Sequence, residues 1–328
     1  MALGLTCLLA LPGAAQQGPS PEPVTPPSTP QAQQVPAQKG SNSPYVFRTN
    51  VGEVLVHATV LDKKNHPVTG LPQSDFTVAE NGVPQKIDYF TSEDAPVSLG
   101  LLIDNSGSMR TKRPEVDRAA LNFVKASNPD DEVFVVNFND EYYLDADFTN
   151  NVAKLQDGLD HIDSRGGTAL YDATIASLDH LNQDGKKPKK VLLIITDGED
   201  DASRYTLEQT VRMAQAEKGP LIYCIGLIGD MGGSEKRHAE RALKALAEAT
   251  GGQAFFAKNL SEVDALTHEL AGEIRQQYTL AYRSNQSAPG FRRIDVSVHA
   301  PHMKDLKVLA RSGYYQGGSG ASALRSTQ

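Results

Sequence analysis

The sequence predicts an α/β fold, a doubly wound and mostly parallel sheet, with a smaller β-sandwich-like domain built from the N- and C-terminal segments that flank it. Three observations carry this. Between residues 97 and 275, four short apolar runs rich in branched residues, VSLGLLI, EVFVVNF, VLLIIT and LIYCIGL, alternate with stretches of helical spacing, the texture of parallel strands covered on both faces. On either side, residues 46–90 and 277–315 read as period-two strands punctuated by Gly, Pro and Asn. Neither flank has strands enough for a sandwich, but the two together supply about six or seven, a normal number. The two ends are therefore predicted to pair, with the middle as an insertion.

Taken in order, residues 1–15, MALGLTCLLALPGAA, are apolar for the length of a signal-peptide core and end in small residues, so cleavage after Ala15 is expected, although no Lys or Arg precedes the run. The run is too short, and carries Pro12 and Gly13, to read as a spanning helix. Cys7 lacks the small residue expected before a lipidated cysteine, which leaves a lipid anchor as the lesser alternative. Residues 16–44 hold eight prolines with Gln, Ser and Ala and read as an extended, disordered linker that would hold the folded part away from its point of emergence. The N-terminal β segment, 45–95, contains VLVHATVLD, the turn KKNHPVTG, and FTVAENGVPQKIDYF with Asn81-Gly82 as a hairpin turn.

In the α/β region, 96–275, a helix is expected where Val116, Ala119, Ala120, Phe123 and Val124 follow Pro114. Thr206 with Gln209, and Ser261 with Asp264, read as helix-start capping pairs, the second opening a stripe of Val263, Leu266, Leu270 and Ile274. Cys224, inside LIYCIGL, reads as a small core residue. If the leader is removed it is the remaining cysteine, so stability must come from the core or a bound metal. The C-terminal β segment, 276–316, contains QYTLAYRS, RRIDVSVHA and LKVLARSGYY, and 317–328 reads as a flexible tail.

Net charge of −8 and a pI near 5.5, with no dominant basic patch, argue against nucleic acid as a partner. The dense basic run Lys186-Lys187-Pro188-Lys189-Lys190 reads as a solvated loop.

Ligands of open α/β sheets bind beyond the carboxyl ends of the strands, and three polar segments lie at that rim. They are Asp104, Ser106 and Ser108 in DNSGS after the first strand, Thr168 in RGGTAL, and Asp197 in TDGEDD after VLLIIT. These loops offer oxygen donors without His or Cys, a set that selects Mg²⁺, Mn²⁺ or Ca²⁺ over zinc. Mg²⁺ takes about six oxygens and is usually held by one or two carboxylates, with water and hydroxyls completing the shell. Two aspartates and three hydroxyls suit that count and leave a position open. Gly107, Gly166 and Gly167 allow tight turns around the ion.

In these motifs, D-x-S-x-S, a distant Thr, and Asp within T-D-G, residues 97–275 resemble the von Willebrand factor type A family and its metal-ion-dependent adhesion site. The resemblance implies that Asp104, Ser106, Ser108, Thr168 and Asp197 hold a divalent metal whose coordination is completed by a partner protein's Asp or Glu. It also implies that the serines and the threonine reach the metal most directly and the aspartates often through water. The flanking β segments resemble secreted bacterial versions of the domain, of the kind common in acidobacteria. The expected product is a secreted or periplasmic, envelope-associated binding module rather than an enzyme.

Other readings stand beside this one. DxSxS alone also fits a turn with capping serines. Glu199, Asp200 and Asp201 read as a solvated loop and helix start, with a second metal site as the alternative. Asp140, Glu141, Asp145 and Asp147 around YYLDADF lack the spacing of an EF-hand and read as an exposed edge hairpin. His299 and His302 read as surface residues at a strand end. A metal with an open position could activate water, yet there is no GxSxG elbow, P-loop or zinc-hydrolase motif. A metal-dependent hydrolase of unrecognised type and an envelope scaffold with a structural metal remain the alternatives.

Overall fold

Four strands precede the α/β region: β1 (Glu53–Leu61), β2 (Phe76–Glu80), β3 (Val83–Gln85) and β4 (Ile87–Thr91). They come from a computed structural model that describes residues 52–161, 164–229, 231–286 and 288–317. The leader, the Pro-rich linker and nearly all of the tail lie outside the described residues. Asn81 and Gly82 join β2 to β3 with φ of 49° and 79°, the paired positive values that a tight hairpin turn matching strand twist requires.

The α/β region runs β5 (Val97–Asp104), α1 (Arg113–Lys125), β6 (Glu132–Phe138), β7 (Tyr142–Thr149), α2 (Val152–Leu159), α3 (Leu170–Asp184), β8 (Lys189–Thr196), α4 (Leu207–Ala214), β9 (Leu221–Gly226), α5 (Gly233–Thr250), β10 (Ala254–Phe256) and α6 (Val263–Arg275). Its six strands lie in the order β10-β9-β8-β5-β6-β7, parallel except for β7, which closes one edge as an antiparallel hairpin with β6. Alternation in β8 sends Val191, Leu193 and Ile195 into the core under α1 and α6, and Leu192 and Ile194 into the core under α3 and α5. Each buried side chain of this size contributes about 1.5–3 kcal/mol, so both faces of the sheet drive folding. Cys224 is fully buried among them.

The chain then returns through β11 (Tyr278–Arg283), β12 (Gly290–Val298), β13 (Lys307–Ala310) and β14 (Gly313–Gln316). Two four-stranded sheets result, β13-β1-β11-β4 and β14-β12-β2-β3, antiparallel throughout. Val56, Phe76, Val78, Tyr278, Leu280 and Tyr314 share one core between them, where the Phe76 ring lies 4.7 Å from that of Tyr278. The two ends of the sequence thus build one sandwich. It has more strands than the expected six or seven because LKVLARSGYY breaks at Arg311-Ser312, sending β13 to one sheet and β14 to the other.

Sandwich and α/β layer meet in a buried polar seam. Tyr223 on β9 donates to Glu273 Oε1 of α6 (3.3 Å), while Gln277 donates to the Tyr223 hydroxyl (2.8 Å) and to Thr59 Oγ1 of β1 (3.0 Å). Lys189 donates to the Ile274 carbonyl in the last turn of α6. Arg311 reaches across from the sandwich to the carbonyls of Ala216 (2.6 Å) and Glu217 (2.9 Å). Burial pushes the Lys189 ammonium down to about 7 and the Glu273 carboxyl up to about 7.

Two local expectations are corrected here. Lys189 is not part of a solvated loop: it opens β8 and is 5 % exposed, while Lys186 N and Lys187 N bond Glu132 and Ser98. Ser261 and Asp264 do not form a cap: a 3-10 turn over Leu260–Glu262 precedes α6, so Ser261 sits inside that turn and donates to Asn259, while Asp264 accepts from Asn122. The Thr206–Gln209 pair does form a reciprocal capping box at the start of α4.

Candidate functional site

β5 is central in the sheet and its last residue, Asp104, lies at the carboxyl rim, fully buried. The chain leaves β5 through a 3-10 turn, Gly107–Met109, with the Met109 side chain sunk into the core beneath it. Asp104 Oδ1 accepts from Ser106 N (2.8 Å) and Oδ2 from the Thr196 hydroxyl at the end of β8 (2.5 Å). The Ser106 and Ser108 hydroxyls are 3.1 Å apart, and Ser108 donates to Asp197 Oδ1 at 2.8 Å. Thr168 enters the same space from the loop before α3: a methyl placed on Gly198 would lie 3.2 Å from Thr168 Oγ1 and 3.8 Å from Asp104 Oδ2. The structure therefore brings all the predicted site residues to one point on the rim.

Among the residues that hold these loops, Arg113 was not singled out from the sequence, and the acidic ones were read as solvated or edge positions. Arg113, fully buried at the start of α1, donates to the Asp104 carbonyl (3.3 Å), Asn137 Oδ1 (2.9 Å) and the Leu159 carbonyl (2.9 Å), fastening the β5 loop to β6 and α2. The acidic run after Asp197 is more than a solvated loop. Asp201 Oδ1 accepts from Thr168 N (2.7 Å), Asp200 Oδ2 from Tyr171 N (3.1 Å) and Ser203 (2.5 Å), and Glu199 pairs with His238. Asp140, in the β6–β7 hairpin, accepts from Gly167 N at 2.6 Å. These carboxylates explain the glycine pair: a Cβ on Gly166 (φ +69°) would lie 2.0 Å from Asp140 Oδ2, and one on Gly167 2.5 Å from Asp201 Oδ1. His299 and His302 are exposed, away from this rim on the sandwich side of the chain.

Burial pushes the Asp104 carboxyl up to about 6, against the hydrogen bonds from Thr196 and Ser106, with the Asp197 charge adding to the rise. Lys112, on the turn into α1, answers that negative charge with its ammonium 2.6 Å from Asp197 Oδ2. The donor set fits a hard divalent cation: two carboxylates and three hydroxyls, held by backbone and side-chain bonds on three loops. Among the described residues no three His, Cys, Asp or Glu gather so as to hold a metal by themselves, so the hydroxyls are needed to complete any shell, as suits Mg²⁺ better than a carboxylate-rich calcium cage. A signal for two of the missed residues was present: Thr196 immediately precedes Asp197, and Lys112 follows Ser108 by one turn. Asp140 and Arg113 carry no such mark.

Comparison with known proteins gives fold-level likenesses. A von Willebrand factor type A protein from Catenulispora acidiphila superposes with a TM-score of 0.48 at 13% identity, covering 83% of this chain and 76% of that one. The vWF domain of the type V pili tip protein from Porphyromonas gingivalis gives 0.44 at 13%, covering 55% and 95%. The pilus adhesin SpaC from Lactobacillus rhamnosus GG gives 0.47 at 15%, covering 65% and 36%. No curated protein matches the chain. Residues 99–199, the stretch that supplies Asp104, Ser106, Ser108, Thr168 and Asp197 alike, match the family model of the von Willebrand factor type A domain.

Proposed function

We propose that this protein is a divalent-metal-dependent protein-binding module, non-catalytic and exported to the cell envelope or medium, whose ligand is a partner protein presenting an Asp or Glu side chain. The observation that carries the reading is the convergence of two aspartates and three hydroxyls from three loops at the carboxyl rim of one parallel sheet. Ser106, Ser108 and Thr168 would hold Mg²⁺, or Mn²⁺ or Ca²⁺, through their hydroxyls, with Asp104 and Asp197 balancing its charge. When bound, the ion supplies a coordination position with residual positive charge for an external carboxylate. The chain's own part is positioning. Thr196 and Ser106 N fix both oxygens of Asp104, and Asp201 and Asp140 fix the backbone that presents Thr168.

A serine-nucleophile hydrolase is disfavoured because the Ser106 and Ser108 hydroxyls are bonded to one another and to Asp197, and a turnover test separates adhesion from a hydrolase that would use metal-activated water. Export belongs to the same proposal and rests on the apolar leader, 1–15, and the linker, 16–44. Among the described residues no helix is long and apolar enough to cross a membrane.

The test is calorimetric titration with MgCl₂, MnCl₂ and CaCl₂, followed by metal-dependent capture from the native envelope or medium, with Asp104→Ala as control. Binding and capture lost with Asp104→Ala or EDTA while the fold survives supports the module. Unfolding under EDTA assigns the metal a structural role. Turnover with added metal that Asp197→Ala abolishes would mark an enzyme instead.

A further inference from the structure

The site contains a positive charge that metal binding alone leaves without a role. Lys112 Nζ lies 2.6 Å from Asp197 Oδ2, with the aspartate side chain 1% and the lysine side chain 18% exposed. The other oxygen of Asp197 is taken by Ser108, so in this arrangement the ammonium and a hydroxyl together satisfy the carboxylate. Lys112 also belongs to the segment that carries Asp104, Ser106 and Ser108: its backbone N–H closes the turn on the Met109 carbonyl at 2.8 Å. Its charge is thus tethered within a few residues of three of the candidate ligands.

Arg113, next in sequence, behaves differently. Its guanidinium is fully buried and spread over Asp117, Asn137 and two carbonyls, and it cannot leave without breaking all of them. An ammonium on a flexible four-carbon stem can rotate toward solvent at small cost.

We propose that Lys112 is a tethered counter-cation, which holds Asp197 in the metal-free protein and is exchanged for the divalent ion on binding, so that this residue sets the affinity of the site. The inference rests on the metal-binding reading above. A divalent ion held by the Ser108 hydroxyl and balanced by Asp197 would share the carboxylate with the ammonium at its present position, and like charges brought together in a partly buried setting repel strongly. Metal and ammonium therefore exclude one another from Asp197. The exchange keeps the buried Asp197 carboxylate compensated in both states, so its loop need not collapse when the metal leaves.

The experiment uses the full chain and two measurements. In EDTA, urea denaturation of wild type, Lys112→Met, Asp197→Asn and the double variant tests the resident cation. Lys112→Met is expected to lower the midpoint in the wild-type background and to have little effect beside Asp197→Asn. An equal effect in both backgrounds overturns the proposal. Calorimetry with MnCl₂ or MgCl₂ at fixed ionic strength tests the exchange: Lys112→Met and Lys112→Gln are expected to bind at least about tenfold more tightly than wild type, and Lys112→Arg to stay near wild type. Binding of equal strength in Lys112→Met, Lys112→Gln and wild type overturns the exchange while leaving the metal reading intact. No binding in any of these proteins overturns the metal reading, and the exchange falls with it. Lys112→Gln also serves should the methionine variant fail to fold.

Discussion

Asp104 shows how a single fully buried carboxylate is kept at a sheet rim. Its pKa is pushed to about 6 by burial, and the Thr196 hydroxyl at 2.5 Å is the strongest side-chain restraint on it. Thr196→Val keeps the shape and removes that donor, together with the acceptor for Gly198 N. It is expected to destabilise the metal-free protein by about 1–3 kcal/mol, the usual cost of leaving a buried partner unsatisfied, read by urea denaturation in EDTA. Gly167→Ala drives a methyl to within 2.5 Å of the Asp201 carboxylate that holds Thr168 N. A loss of about 1–3 kcal/mol is expected from the overpacking, accompanied by weaker binding of Mn²⁺ in calorimetry, and Asp201→Ala should relieve part of the strain. At this scale the sequence was legible where chemistry and spacing coincide: Asp104, Ser106 and Ser108 stand two residues apart on one loop. It was silent on Arg113 and placed Asp140 only on an exposed edge hairpin, because a hydrogen bond from a hairpin or a helix start to a distant loop leaves no local pattern.

The seam between the sandwich and the α/β layer depends on how α6 ends. Its last turn is anchored by Lys189 at the Ile274 carbonyl and by Glu273 beneath Tyr223. Glu273 is held near 7 mainly by burial, with Glu269 adding to the rise and Tyr223, Thr59 and Lys189 opposing it. The unfolded chain gives up this proton near its ordinary value of 4.5, so between about pH 4.5 and 7 the unfolded state binds fewer protons and stability falls as pH rises. Glu273→Gln removes this titration. The variant is expected to gain on the order of 2–3 kcal/mol relative to wild type on going from pH 4.5 to pH 7.5, measured by urea denaturation across that range. The parallel strands themselves were readable from their branched, uninterrupted apolar runs. The start of α6 was not, because Ser261 and Asp264 match a capping pair in sequence while the preceding 3-10 turn moves the helix start past Ser261. The lysine run failed similarly. Charge density marks solvent exposure on average, but the Ile274 carbonyl at a helix end and the nearby carboxylates of Asp94, Glu273 and Asp131 hold Lys189 inside.

At the scale of the whole molecule, an antiparallel sandwich made from both ends of the sequence encloses the α/β layer as one long insertion. The two flanks could be joined on paper because neither alone supplies enough strands, whereas the order of strands within each sheet could not, since period-two texture does not name a partner. The pairing has a kinetic consequence. His57 meets Thr279 across 222 positions, and in an unfolded chain such a contact is slow to find. Yet Thr91 and Thr279, which bracket the insertion, are register partners on adjacent strands, so a collapsed α/β layer delivers β4 and β11 side by side and shortens the effective loop to a few residues. Refolding is then expected in two phases, the layer first and the sandwich zipping onto it. In stopped-flow experiments Val56→Ala should slow only the later phase, whereas Leu193→Ala should slow both, because the sandwich waits for the layer to bring its ends together.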